Sequence, residues 1–142
     1  MSINRPDPVV AKRLLICDRI ERRSDGGVNL INLWLLKRLP KGWNSNTILP
    51  PWAAFAWLTI GRGKVKVRLD IAAQPPDDEP IPVWRSPMQE VVFLTPIETQ
   101  FLCISVTDLR IDAAGDYLVE LYCEDELGNG YFLEDMLVSL VE

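Results

Sequence analysis

The sequence predicts an all-β fold: an antiparallel two-sheet sandwich, immunoglobulin-like, with about eight or nine strands. Runs of about six to ten residues rich in Val, Ile, Leu and aromatic side chains recur between turn signals along the chain. Segments with helical periodicity are scarce, so the crossover helices of a parallel sheet have no candidates. A strand that opens with Gly-Asp-Tyr at residues 115–117 is typical of a late strand in an immunoglobulin-like sandwich.

The first two strands are predicted at residues 12–21 and 28–37. The turn between them contains Asp-Gly-Gly at residues 25–27, and such glycines supply the positive φ angles that a hairpin needs. The second run is apolar on both faces. We therefore expect it to be a central strand or one that is covered from outside.

A loop is predicted at residues 39–51, which contain three prolines and Trp43. Strands are expected to follow at residues 52–60 and 64–71, joined by a tight Gly-Arg-Gly connection at residues 61–63. In the second of these strands apolar and charged residues alternate, which indicates that one of its faces is solvated.

The later strands are separated by two kinds of turn. The proline-rich segment 74–82 is expected to be an exposed loop, and residues 82–87 allow at most a short edge strand because proline cannot donate a ladder hydrogen bond. A Leu-Gly-Asn-Gly turn at residues 127–130 indicates a closing hairpin. The remaining predicted strands are residues 90–94, 100–108, 116–125 and 131–141.

Asp112, Gly115 and Tyr117 are predicted to have a structural role at the start of the strand 116–125. In immunoglobulin-like sandwiches a tyrosine at this place bonds back to the preceding turn, so we expect Tyr117 to be buried with its hydroxyl bonded near Asp112. Val119 stands where an immunoglobulin domain has a cysteine. The inter-sheet disulfide therefore cannot form there, and apolar packing must provide the stability.

Composition indicates one globular domain, residues 11–142, after a tail at residues 1–10. The chain is 48% hydrophobic and 25% charged, as in ordinary soluble domains. Its first residues lack the apolar stretch of a secretion signal, and no apolar run reaches the roughly 18 residues of a membrane span. Three cysteines, all in predicted strands, indicate reduced and buried thiols. We therefore expect a cytoplasmic protein without membrane contact.

Charge is distributed unevenly along the chain. Residues 1–85 contain 14 Lys and Arg against 8 Asp and Glu, whereas residues 86–142 contain Arg110 alone against 12 acidic residues. An acidic end is a poor docking site for phosphates, and the basic strand 64–71 lacks the interleaved aromatic residues that single-stranded nucleic acid stacks on. We expect no nucleic-acid partner.

The residue types restrict the chemistry that the chain can perform. It contains no histidine, which excludes Ser-His-Asp and Cys-His catalysis and histidine-based zinc sites within the chain. Carboxylate pairs in turns remain as candidates for acid-base chemistry or for calcium binding, with oxygen ligands at residues 77–79 and 124–126. We expect no enzyme, no cofactor and no metal site, and we leave calcium binding by the acidic turns open.

The pattern Leu-Leu-Ile-Cys-Asp-Arg-Ile at residues 14–20, Val-Asn-Leu-Ile-Asn-Leu at residues 28–33 and the later Gly-Asp-Tyr strand resemble a family of small, uncharacterised bacterial proteins of unknown function. The resemblance spans most of the chain and implies a β-sandwich. It brings no activity, ligand or catalytic residue.

Two hypotheses for function follow. The first is a non-enzymatic sandwich that acts through protein-protein contacts, as a homo-oligomer or an accessory subunit, because pairing an exposed edge strand with another chain is a common use of such a strand. The alternative is a small-ligand or carbohydrate-binding module. In it Trp43 or Trp84, which we expect in a loop and near an edge, would stack on a sugar or anchor a partner.

Overall fold

The structure is a computed structural model that describes residues 10–59, 63–95 and 99–142, with side chains from Arg13 onward. The described residues form ten strands and no helix. The strands are β1 (Val10–Arg22), β2 (Val28–Leu33), β3 (Leu36–Arg38), β4 (Trp52–Thr59), β5 (Gly63–Ala73), β6 (Ile81–Arg85), β7 (Gln89–Phe93), β8 (Gln100–Val106), β9 (Gly115–Glu124) and β10 (Gly130–Val141).

The strands form two sheets, which confirms the predicted sandwich. One sheet has the order β2-β1-β4-β8, and the other has the order β3-β10-β9-β5-β6, with β7 paired to the remaining part of the β5 edge. The arrangement β10-β9-β5 corresponds to the G-F-C sheet of immunoglobulin domains. Every pair is antiparallel except β3 and β10, which run parallel.

The core lies between the two sheets and is apolar. Alternate residues of the central strands point into it, as the period of two along a strand requires. Val119, at the place of the immunoglobulin cysteine, is completely buried, so close packing takes the place of a disulfide there. The largest fully buried core side chains include Ile16, Leu58, Val67, Leu69, Ile71, Leu109, Ile111 and Leu121.

The predicted strand at residues 28–37 is two strands in different sheets. The chain leaves the four-stranded sheet after Leu33 and enters the other sheet at Leu36. Asn32 has a left-handed φ of 55° at this crossing. Because β2 and β3 are both edge strands, the expectation of a central strand is wrong. Burial does not account for the apolar pattern of the segment, because Leu33, Leu35 and Leu36 are 58%, 64% and 58% exposed.

The other predicted strands agree with the structure to within about two residues at each end. Nine predicted segments become ten strands because one of them is divided. Residues 1–9 of the predicted tail and residues 61–62 of the predicted Gly-Arg-Gly connection lie outside the described residues.

Candidate functional site

The outward surface of the four-stranded sheet is apolar. Leu14 and Ile16 of β1 belong to the core, so their neighbours Leu15 and Cys17 point away from it. The same alternation in β4 and β8, together with the strand register, completes this surface. We call it the aromatic face, and it consists of Leu15, Cys17, Leu33, Ala53, Phe55, Trp57, Phe101 and Cys103.

Three aromatic rings in mutual contact form the middle of the aromatic face. The ring centroids of Phe55 and Trp57 are 5.9 Å apart, those of Phe55 and Phe101 are 5.7 Å apart, and those of Trp57 and Phe101 are 6.3 Å apart. Such separations are within the range of favourable aromatic pairs. The three rings project from two adjacent strands, β4 and β8, and hold one another in place.

Part of the aromatic face is open to solvent. Phe55 is only 2% exposed, but Phe101 is 49% exposed and Leu33, opposite Cys17 in the register, is 58% exposed. The outward face of an antiparallel sheet is ordinarily polar. Arg13 lies opposite Trp57 and is exposed. The aromatic face is therefore open only at its margins, because Cys17 and Ala53 at its centre are 0% and 6% exposed.

The thiols on the aromatic face are poor nucleophiles. Burial raises the pKa of Cys17 and of Cys103 above the ordinary thiol value, and Asp18 adds to the rise for Cys17. Only the thiolate form is a nucleophile. Both cysteines are free, and they contribute apolar packing to the face.

The outward surface of the other sheet has the opposite character over β9 and β10. We call it the acidic face, and it consists of Asp116, Leu118, Glu120, Tyr122 and Glu124 of β9 with Phe132, Asp135 and Leu137 of β10. Neither strand contains a lysine or an arginine. Its exposed apolar side chains are Phe132 and Leu137, at 57% and 53% exposure.

Three carboxylates lie in a row across this sheet. Glu120 is opposite Asp135 on one side and Asp70 of β5 on the other. Asp70 accepts hydrogen bonds from Arg68 Nε at 2.9 Å and from Arg85 Nε at 3.2 Å. Burial raises the pKa of Glu120, and the neighbouring Asp135 and Asp70 raise it further. The ionised form of Glu120 is therefore disfavoured in the folded chain.

A shallow groove runs beside this row, between β6 and β9. Its walls include Asp70, Arg85, Glu120, Phe132 and Trp84. The groove combines carboxylates and a guanidinium group with the Phe132 ring. These groups can bind a polar ligand such as a sugar through hydrogen bonds and ring contacts. Trp84 lies opposite the core residue Ile71, so its side chain points to the other side of the sheet.

The two tryptophans predicted as contact residues are half-buried and pack against the core. Trp43 lies in the loop before β4, and its indole N-H has no hydrogen-bond partner among the described residues. Trp84 lies on β6 and donates its indole N-H to the carbonyl of Thr107 at 3.0 Å. The two side chains are not brought together, and a role for either in ligand binding stays a prediction.

The three residues predicted to be structural lie together at the start of β9. The buried Tyr117 donates its hydroxyl hydrogen to the carbonyl of Ala113, one residue after Asp112. Gly115 has a φ of 148°, which favours glycine, and nothing fills the space beside it. Asp112 itself is exposed.

The acidic turns use their carboxylates locally. Asp125 Oδ1 accepts hydrogen bonds from the backbone N-H groups of Leu127 and Asn129 at 2.9 and 3.0 Å, and Glu126 accepts one from Lys64 N-H at 2.7 Å. Within the part of the chain that the structure describes, no group of three or more His, Cys, Asp or Glu residues is placed to hold a metal ion. No described segment forms a helix long and apolar enough to cross a membrane.

No family model matches the chain, and no curated protein matches it. Among solved structures it is similar to β-glucosidase 3B from Thermotoga neapolitana in complex with α-D-glucose, at 15% sequence identity and a TM-score of 0.47 over 92% of this chain. It is also similar to β-glucosidase from Listeria innocua, at 8% identity and a TM-score of 0.46 over 95% of this chain. The chain spans 16% of each of those chains. Similarity at this level bears on neither activity nor ligand.

Sequence reasoning missed Leu33 and Phe101 as candidate contact residues. The signal that was available lies in β4, where the sequence Trp-Ala-Ala-Phe-Ala-Trp-Leu-Thr contains no charged residue on either face. A strand of this kind indicates that both of its faces are withdrawn from water. The strands beside it then become candidates for a contact surface.

Proposed function

We propose that this protein is a non-enzymatic, cytoplasmic β-sandwich that acts through protein-protein contacts, and that the aromatic face makes the principal contact. The observation that carries the proposal is the solvent exposure of Phe101 in contact with the Phe55 and Trp57 rings, with Leu33 exposed at the opposite corner of the same sheet face. Aromatic side chains that are held rigidly and remain exposed are enriched among the residues that anchor protein interfaces. Scattered single apolar residues would not carry this weight.

The energetics favour this face as a contact. Full burial of a Leu or Phe side chain contributes roughly 1.5–3 kcal/mol, and about half of each of these two side chains is still available for burial. The rings already contact one another on paired strands, so little side-chain freedom is lost when a partner binds. Aromatic anchors held in this way are typical of the centre of a protein interface.

Site-specific photo-crosslinking tests the proposal. Benzoylphenylalanine is placed at position 101, and the protein is illuminated inside the cells that produce it. We expect covalent protein adducts in high yield. The matched control is position 48 in the loop before β4, because Ile48 is 47% exposed but lies away from the aromatic face. Absence of adducts at position 101, or equal yields at both positions, would contradict the proposal.

One observation favours a second candidate, a carbohydrate-binding module. The groove beside the carboxylate row brings Phe132 close to Asp70, Arg85 and Glu120, which is a combination suited to a sugar. Calorimetric titration with soluble oligosaccharides would detect binding, and Arg85→Ala should abolish it while the fold is retained. A wild-type protein that releases no heat with any of them would eliminate this candidate.

A further inference from the structure

The two sheets leave a pocket of 230 Å³ between them, beside the crossing from β2 to β3. Asp18 of β1 and Trp52 of β4 line it from the four-stranded sheet, and Trp34 lines it from the crossing. Lys37 of β3 and Leu140 of β10 line it from the other sheet. We infer that this pocket binds a small aromatic carboxylate. Among the described residues it shares none of its lining with the aromatic face, so the inference goes beyond the proposed contact function and does not depend on it.

The walls of the pocket suit a flat, apolar ring. The rings of Trp34 and Trp52 meet edge to face, with centroids 5.2 Å apart and an interplanar angle of 70°. Pro50 and Pro51, at the end of the loop before β4, add apolar surface with a fixed backbone angle. Because an apolar cavity of about 150 Å³ can hold benzene, the pocket has room for a single substituted ring.

The polar groups of the pocket call for a ligand that brings acceptors. The indole N-H groups of Trp34 and Trp52 are buried and have no hydrogen-bond partner among the described residues, although buried polar groups are ordinarily paired. Both oxygens of Asp18 already accept hydrogen bonds, from Lys37 and from Asn32. A carboxylate ligand supplies two acceptor oxygens and no donor, which is what this set of groups lacks.

The charge of the pocket selects an anion over a cation. Lys37 Nζ lies over the Trp34 ring, 5.7 Å from its centroid, and donates to Asp18. An ammonium group has three donors and the Lys37 side chain is 40% exposed, so it can donate to a ligand as well as to Asp18. Tryptophan walls alone would also suit an ammonium ligand, but Lys37 already occupies that position and repels a second cation. Arg38 also lines the pocket, so two basic residues stand there against one acidic residue.

Three single-ring probes of similar shape test the inference on the wild-type chain. Benzoate is an anion, benzamide is neutral and benzamidine is a cation. The five indole N-H signals of the chain report binding in two-dimensional proton-nitrogen NMR spectra. We expect benzoate to shift the signals of Trp34 and Trp52 with a Kd of about 1 mM or below. Benzamide should bind at least about tenfold more weakly, because it forms no charge-assisted hydrogen bond, and benzamidine should bind more weakly still.

Lys37→Met tests the anion contact. The variant keeps a long side chain and removes the charge, so its affinity for benzoate should fall at least about tenfold while its affinity for benzamide is unchanged. Lys64→Met is the matched control, because Lys64 is also an exposed lysine with a carboxylate partner, Glu90, but lies on β5 and does not line the pocket. It should bind benzoate as wild type does. Circular dichroism checks that both variants fold.

The same measurements can overturn the inference. Equal affinity for benzoate and benzamide, or benzamidine that binds as tightly as benzoate, would rule out selection of an anion. Shifts confined to Trp57, which belongs to the aromatic face, would place the probe at a different site. Trp34 and Trp52 signals that do not move at about 20 mM benzoate would remove the pocket as a binding site. The comparison of probes needs no variant, so it decides the matter even if Lys37→Met does not fold.

Discussion

The hydroxyl of Tyr117 ties the first residues of β9 to the turn that precedes them. Its acceptor is the carbonyl of Ala113, and the ring is buried in the core. Tyr117→Phe keeps the ring and removes this hydrogen bond, so the free energy of unfolding should fall by about 1 kcal/mol. Urea denaturation measures the change. Tyr122→Phe is the control, and an equal loss in that variant would contradict the assignment.

Glu120 shows how a single carboxylate can lower stability. Burial and the neighbouring Asp135 and Asp70 raise its pKa in the folded state. The folded protein therefore binds more protons than the unfolded chain, and stability decreases as pH rises through the window that begins near the ordinary glutamate pKa of about 4.3. Above that window Glu120 is ionised, and its charge lowers the stability of the folded state.

Glu120→Gln should accordingly raise the free energy of unfolding at pH 7, by about 0.5 kcal/mol for relief of like charges across strands. The gain should shrink as pH falls below about 4.5, because wild-type Glu120 is then neutral too. Thermal melts across about pH 3–8, a range that includes the usual carboxyl pKa, measure both effects. The control is Glu124→Gln, because Glu124 lies opposite Lys66 instead of between carboxylates. This variant should gain no stability. A loss of stability in Glu120→Gln at pH 7 would refute the prediction.

The crossing from β2 to β3 depends on polar contacts around Asp18. Asn32 Nδ2 donates to Asp18 Oδ2 at 3.1 Å and Lys37 donates to Oδ1, so that both ends of the crossing are bound to β1. The Lys37 hydrogen bond lowers the pKa of Asp18, with a further contribution from Asn32. This stability is present above the unfolded pKa and is lost as pH falls through the lower folded pKa.

Asp18→Asn should therefore reduce the free energy of unfolding at pH 7 by about 1.5 kcal/mol, the value for a hydrogen bond to a charged group. The difference should narrow in acid, where wild-type Asp18 is protonated. The comparison is Glu21→Gln, which breaks an exposed ion pair with Arg19 and should change stability by less than about 0.5 kcal/mol. If both variants lose the same amount, the contacts at the crossing have no special role.

The crossing is also the element that sequence pattern could not resolve. An extended segment keeps its β-branched and apolar composition when it changes sheets, so residues 28–37 match the pattern of one strand. The break depends on a backbone angle at Asn32 and on a partner strand about 100 residues away. By contrast, β5 and β9 were predictable because each buries alternate residues along its length.

We expect the two sheets to unfold together as one unit. Cys17 of β1 and Cys123 of β9 can report on this because they lie in different sheets and are both fully buried. Burial raises the pKa of both thiols. We expect a thiol reagent to label them at one common rate, which tracks global unfolding as urea is added. Cys103→Ser, which removes the half-buried third thiol, simplifies the measurement. Faster labelling of Cys17 would show that the four-stranded sheet opens alone.

At the scale of the molecule, the sequence predicted the architecture better than the site. Inward positions follow from alternation within each strand, so the two-sheet core could be expected from the residues of each segment. The aromatic face could not, because it requires knowing that β4 lies between β1 and β8 and that Phe101 lies opposite Trp57. A hairpin turn fixes the register of two consecutive strands, but no such turn joins β4 to β1 or to β8.

The parallel pairing of β3 with β10 also limits how early the fold can be completed during synthesis. Residues 36–38 need residues 139–141 as their partner, and about 100 residues of chain separate the two. Loop closure over such a distance is slow relative to local pairing. The β1-β2 hairpin can form early on the ribosome, but the edge that joins the two sheets must wait for β10. Until then residues 36–38 lack the backbone hydrogen-bond partner that they have in the folded chain.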